Sequence, residues 1–283
     1  MELTTDASLA RLWVFLGLLA ALAALERLWP GPNPPPRRSR RWPAHAALIA
    51  LDTLLARVLV PAGAFGVAIW AESAGVGVFN VAQARWPSAL PSWLEWGAGL
   101  LLLDAAIYWQ HRWLHRVPWL WRLHRAHHTD ATLDATSALR FHPLEMLVSL
   151  AYKAALIAAL GVDPAIVLVF ETLLSSFALI THANLALPAR WDRALRWWLV
   201  TPAMHRIHHS VRVDEQHRNY GFHTSLWDRV FGSYAETSRD APQAFGLAGA
   251  DVEGAAVEGA EVEGANVSRS TDLRALLREP FRD

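Results

Sequence analysis

The chain has 283 residues, enough for one ordinary domain or a compact membrane bundle. Only 18% are charged against 53% hydrophobic, and 15 are tryptophan; soluble domains carry about 25% charged residues and indoles favour the bilayer interface, so the balance points to lipid. Net charge is zero and cysteine is absent, which leaves no electrostatic case for nucleic acid and excludes disulfides, thiolate-bound zinc, iron–sulfur clusters and a cysteine nucleophile.

The first apolar run, residues 9–29, is long enough to cross a bilayer, which takes about 20 residues. Its length, Arg11 at its start and the lack of a small-residue cleavage site before Pro30 separate it from a signal peptide. Residues 31–36 are proline-rich and non-helical. Arg37, Arg38, Arg40 and Arg41 follow, a cluster that the positive-inside rule places in the cytoplasm. A second run, 44–71, returns across the membrane with Asp52 and Arg57 turned toward other helices or the interface. Residues 72–92 hold glycines, prolines and tryptophans and read as an exterior loop, and a third run, 93–109, leads back to the cytoplasm. Runs 144–160 and 165–180, divided by Gly161-Val162-Asp163-Pro164, form a tight hairpin that either spans or re-enters. Residues 192–204 read as an interfacial helix, with Arg193 and Arg196 set against Trp197 and Trp198. A five-residue repeat over 249–268 is read as an acidic flexible insert rather than a solenoid, and 270–278 as a short helix capped by Thr271.

Thirteen histidines stand out, and without thiols any transition-metal site must use imidazole and carboxylate. They cluster as His111 and His115, then His124, His127 and His128, then His205, His208 and His209. Residues three and four apart share a helix face, so these eight imidazoles can converge on one volume. Eight are too many for one ion and suit two. Neutral imidazole suits iron, zinc, copper or nickel, not magnesium or calcium. Dioxygen chemistry is the task most in need of two redox-active ions. Asp104, seven residues before His111, either accepts from His111, closes the site from the lipid side, or is a polar packing group. His142, before Pro143 at a helix start, is a ligand or supports one; His223 and His217 support the third cluster or lie at the surface. Glu145, Asp134 and Asp228 are weaker supporting carboxylates, and His45 reads as interfacial.

The motifs in combination resemble the fatty acid hydroxylase and sterol desaturase superfamily of membrane di-iron enzymes. They run from Asp104 and Tyr108 through His111-Arg112 to His115, Trp121 to His128, Arg140-Phe141-His142-Pro143 and His182-Ala183-Asn184. Thr201-Pro202, His205 to His209, Asn219-Tyr220-Gly221 and Leu226 to Gly232 complete them, covering about residues 96–234. The resemblance implies an all-α multi-pass membrane bundle with a cytoplasmic, histidine-rich di-metal cap. It implies two iron ions, replaceable by zinc in purified protein, with dioxygen as co-substrate. It implies electrons from a reductase or cytochrome, and hydroxylation or desaturation of a lipid-type substrate such as a sterol, fatty acyl chain, ether lipid or carotenoid. It adds His182 as a metal ligand and Asn184 as a supporting residue; Ala178 stands where some relatives carry a further histidine. Residues 1–92 then form N-terminal spans, 93–240 the catalytic domain, and 241–283 a tail. A haem electron-transfer protein and a metal-binding or transport protein are the competing readings.

Overall fold

A computed structural model describes residues 2–31, 38–85, 91–239, 244–247 and 272–282. Most of the proline-rich stretch, Arg37, the repeat and Thr271 lie outside the described residues. The described residues are helical and contain no strand, only two isolated bridges, Leu199 with Thr224 and Ser210 with Phe245. The helices are α1 (Glu2–Leu28), α2 (Arg38–Leu59), α3 (Gly63–Ser73), α4 (Val78–Arg85), α5 (Ser92–Arg116), α6 (Pro118–His128), α7 (Pro143–Leu160) and α8 (Pro164–His182). Short helices follow: α9 (Ala189–Leu195), α10 (Pro202–His208), α11 (Val213–Gln216), α12 (Leu226–Val230) and α13 (Leu273–Arg278).

Among the described residues, four stretches are long and apolar enough to cross a membrane: Leu9–Leu28, Arg41–Arg85, Pro143–Leu160 and Pro164–His182. The second expected run is not one straight helix. It breaks between Leu59 and Gly63, where Pro61 lacks the N–H a helix needs and Gly63 takes a left-handed φ of 61°. The expected exterior loop contains α4. The third expected run lies in α5, a single 25-residue helix that also carries His111 and His115; it is not among the four, because Glu95 and Asp104 dilute its apolar stretch. The 192–204 segment is not one interfacial helix: α9 ends at Leu195, and Thr201 and Pro202 start α10 afresh. The tail helix is capped by Asp272, which accepts from the Arg274 amide at 2.9 Å.

The hairpin is built as its turn residues dictate. Gly161 closes α7 in the left-handed conformation (φ 63°), the Asp163 carboxylate accepts from the Ala165 amide, and Pro164 occupies the first position of α8. Gly77 abuts the turn so closely that a Cβ there would lie 2.4 Å from the Gly161 Cα. Leu103, Ile107, Ile157, Ile166 and Phe170 form the main core with Ala64 and Ala68 of α3. Leu22 of α1 packs on Ala138, Leu139 and Leu179, and Leu276 of α13 on Ala44 and Leu48 of α2.

A buried ionic network fixes the segment between α6 and α7. The Arg41 guanidinium donates to Asp130 at 2.6 Å, to Asp134 at 2.8 Å and to the Thr132 carbonyl. Arg140 donates to the Ala126 carbonyl, Thr129 and His45 Nε2. His45 is fully buried and bonded through Nδ1 to Thr136, so it is a structural link and not an interfacial residue. Burial alone would raise the Asp130 carboxyl; the Arg41 and Arg140 guanidiniums override it and hold it well below the usual carboxylate range. Glu26 of α1 accepts from the amides of Ala135 and Asn184, joining this segment to the end of α8.

Candidate metal centre

Four helix ends deliver the histidines. Extended Val117 and Pro118 break the chain between α5 and α6, so that the two helices pack against each other with His115 4.8 Å from His124 and 4.7 Å from His128, ring centre to ring centre. The end of α8 supplies His182. Thr201 caps α10, whose last turn carries His205 and His208, with His209 as its C-terminal cap.

The nine imidazoles divide into two groups, His111, His115, His124, His128 and His208 in one, His127, His182, His205 and His209 in the other; within each, the ligand atoms lie within 4.8 Å of one another. The groups adjoin, His128 stacking on His209 at 4.3 Å. This spacing suits two ions side by side and not imidazoles on opposite faces of a porphyrin.

Hydrogen bonds to the outer ring nitrogens set the tautomers. His111 Nδ1–H donates to the Tyr220 carbonyl (2.8 Å), His208 Nδ1–H to the Arg218 carbonyl (2.9 Å), and His182 Nδ1–H to the Ala178 carbonyl (2.7 Å). His124 Nδ1 pairs with the Glu145 carboxylate at 2.7 Å. In each ring the Nε2 lone pair is left facing inward. Burial first, then neighbouring imidazoles, pushes His127, His128, His205 and His209 well below the ordinary histidine value, and burial takes His208 to about 3. These rings are therefore neutral at physiological pH, as metal ligation requires.

The inner nitrogens fit metal ions and fit little else. His182 Nε2 carries no proton, yet it lies 3.0 Å from His127 Nε2, 3.1 Å from His209 Nε2 and 3.2 Å from His205 Nε2. Its single lone pair can accept from one of them, and the remaining lone pairs would repel. A cation among the four relieves every contact; nitrogens bound tetrahedrally at about 2.1 Å stand roughly 3.4 Å apart. In the other group the Nε2 atoms of His115, His124, His128 and His208 are buried without hydrogen-bond partners.

The other sequence candidates lie outside both groups. Asp104 does not face His111: it pairs with His223 Nδ1 and accepts from Trp227 Nε1 at 2.8 Å. His223 packs between Phe170 and Phe177. His142 caps α7, accepting from the Leu144 amide, and its Nε2 bonds the Leu277 carbonyl. Asn184 is tied by its backbone to Glu26 and Gly31. Asp228 accepts from the amides of Tyr220 and Gly221, aiming the carbonyl that holds His111; desolvation raises its carboxyl to about 6. Asn219, at a left-handed φ of 52°, bonds the Met204 and Ala235 carbonyls. Such carbonyl contacts leave no mark in side-chain identity.

A cavity of about 200 Å³ opens onto this centre, with His111 and His124 in its wall beside Phe141, Leu179 and Phe222. Phe141 stacks on His127 at 4.8 Å. The lining is mostly apolar, suited to a hydrocarbon chain or ring system.

Residues 96–233 match the family model for fatty acid hydroxylase. The chain is 26% identical to the ornithine lipid hydroxylase of Rhizobium tropici over 239 residues, 83% of this chain and 70% of that one. It is 30% identical to the alkylglycerol monooxygenase of Homo sapiens over 143 residues, 49% of this chain and 30% of that one. To the cholesterol 25-hydroxylase of Rattus norvegicus it is 28% identical over 147 residues, 51% of this chain and 47% of that one. The chain thus spans less than half the length of the last two. No solved structure matches it.

Proposed function

Because this chain belongs to the fatty acid hydroxylase and sterol desaturase superfamily of oxidoreductases, we propose that it is a membrane-embedded di-iron oxygenase acting on a C–H bond of a lipid-type substrate. The carrying observation is the pair of adjoining imidazole groups with His111 and His124 in the wall of an apolar cavity. The reaction is hydroxylation or desaturation, with electrons from a separate reductase or cytochrome. The nine grouped histidines are the ligands, residues 93–240 the catalytic domain, 1–92 its N-terminal spans and 241–283 its tail.

Two bound irons would supply the two-electron chemistry that activates dioxygen. The chain does the rest. Carbonyls of Tyr220, Arg218 and Ala178 and the Glu145 carboxylate hold four rings with Nε2 inward. Leu114, Leu139 and Leu179 keep the cavity wall apolar and exclude water from the bond under attack. His111 and His124 are the ligand rings nearest the substrate, so the reacting carbon is placed against the five-histidine group.

The test uses purified full-length protein, iron, a chemical or enzymatic reductant and a lipid extract under isotopic dioxygen. Label in a new lipid alcohol, or a new double bond formed only when dioxygen is present, is the expected result; oxygen-independent turnover sinks the reading. The arginine cluster at the start of α2 supports a cytoplasmic side for the histidine groups by the positive-inside rule. Reporters fused after residues 41 and 128 and at the C-terminus should therefore read cytoplasmic, and one after 84 exterior. An exterior reading after 128 refutes that orientation.

A further inference from the structure

The cavity that reaches His111 and His124 is bounded elsewhere by three charged side chains. Arg11 of α1 donates to Glu171 Oε2 at 3.0 Å, and Lys153 of α7 donates to Glu171 Oε1 at 2.6 Å. All three line the cavity. Lys153 lies eight residues beyond Glu145 on α7, about 12 Å along the axis, and Glu171 eleven residues before His182 on α8, about 16 Å. The triad therefore stands at the opposite end of the cavity from the imidazoles.

Its charge does not balance. Two cations face one carboxylate, and among the described residues the only other acidic residue in the lining, Glu145, sits beside His124 at the far end. All three triad residues belong to helices long and apolar enough to cross a membrane, where unmatched charge is costly and intramembrane ions mark functional sites. A purely structural pair would be neutral, needing one cation. Arg11 also keeps a buried Nε with no hydrogen-bond partner. Its side chain is 31% exposed, so this end opens at the outer face of the bundle.

We propose that Arg11 and Lys153 receive an acidic group, carboxylate or phosphate, borne by the lipid substrate, and so determine which carbon lies against His111 and His124. The anion neutralises the excess charge, and the fixed separation of the two ends acts as a ruler. Glu171 holds both cations apart and aimed at the cavity. The occupant's identity as substrate rests on the oxygenase reading; the anion site does not.

Binding without turnover tests it. Zinc-loaded full-length protein in neutral phosphatidylcholine nanodiscs is titrated with tritiated hexadecanoic acid and, in parallel, its methyl ester, against empty nanodiscs. The acid should bind at least about tenfold more tightly than the ester. Lys153→Met and Arg11→Met should each remove most of that preference with zinc content unchanged. Glu171→Gln should hold or strengthen acid binding, since it removes the competing anion. Displacement by a small fraction of phosphatidic acid assigns the site to a phospholipid headgroup, and its failure to a carboxylic acid. Equal binding of acid and ester, or a preference that survives both cation substitutions, overturns the proposal. So does Glu171→Gln weakening the acid as much as Lys153→Met, which is the signature of a structural prop. Failure here leaves the oxygen-labelling result standing, and failure there leaves this one.

Discussion

His128→Ala and His209→Ala, one from each imidazole group, should each abolish lipid oxidation while the protein still inserts in the membrane. Both rings are buried and belong to no apolar helix, so their removal opens a ligand position without disturbing a span. Wild-type protein should carry close to two metal ions per chain and each variant markedly fewer. Because the two rings stack at 4.3 Å, losing either also loosens its neighbour, and occupancy should fall below the one ion that independent sites would retain. Glu145→Gln is the graded member of the series. Glutamine still accepts from His124 Nδ1 but brings no charge, and weakening such a supporting contact lowers metal affinity by about 10- to 100-fold. Zinc stands above iron in the affinity order for nitrogen sites and has no redox chemistry. Zinc-filled preparations should therefore be inactive until iron replaces it. Metal analysis beside labelled-oxygen turnover reads all of this. Full activity in either alanine variant would remove the two-metal reading.

Arg41→Met should be the most destabilising single change outside the metal centre. It removes contacts of 2.6 and 2.8 Å to the buried Asp130 and Asp134 carboxylates, leaving Asp130 with Ser137 and the more distant Arg140, and Asp134 with Trp42 and Thr136. Breaking a buried pair by deleting one partner costs about 3–5 kcal/mol. That is a large part of the roughly 5–15 kcal/mol by which folded domains persist. The thermal midpoint of detergent-purified protein measures it. The sign of the pH dependence is fixed as well. Asp130 titrates below its ordinary value in the native state, so its contribution is complete above about pH 4 and is lost as pH falls through the native pKa. Wild type should lose stability over that range faster than Arg41→Met, and the gap between them should narrow. His45→Ala removes one acceptor of Arg140 and a partner of Thr136, at a cost of about 1–3 kcal/mol. An Arg41→Met midpoint equal to wild type at pH 7 would show the network to be dispensable.

The apolar runs, the hairpin and the three histidine boxes could be read directly, because each depends on residues near one another in the chain. Proline and glycine at the hairpin act on adjacent dihedrals, and four-residue spacing puts His111 with His115 and His124 with His128 whatever surrounds them. The break at Pro61 was harder to read, since the apolar pattern continues across it. His45 reads as interfacial in the sequence because its partners Thr136 and Arg140 are 91 and 95 residues away.

The sequence by itself determined the helical class and singled out the eight box imidazoles as candidate metal ligands, and the family resemblance added His182. Only the tertiary structure decided how those imidazoles divide. Each four-residue pair stays together, His124 with His128 and His205 with His209, because such residues differ by only about 40° around a helix. His127 and His208 are each turned about 100° from the histidine that follows, and each crosses to the other group. That exchange needs α6 and α10 set against each other beside the ends of α5 and α8, and the packing responsible involves Arg41, Arg140, Asp228 and carbonyls that no local pattern reveals. Spacing along one helix fixes which side chains share a face, and only the meeting of helices decides which faces share a metal.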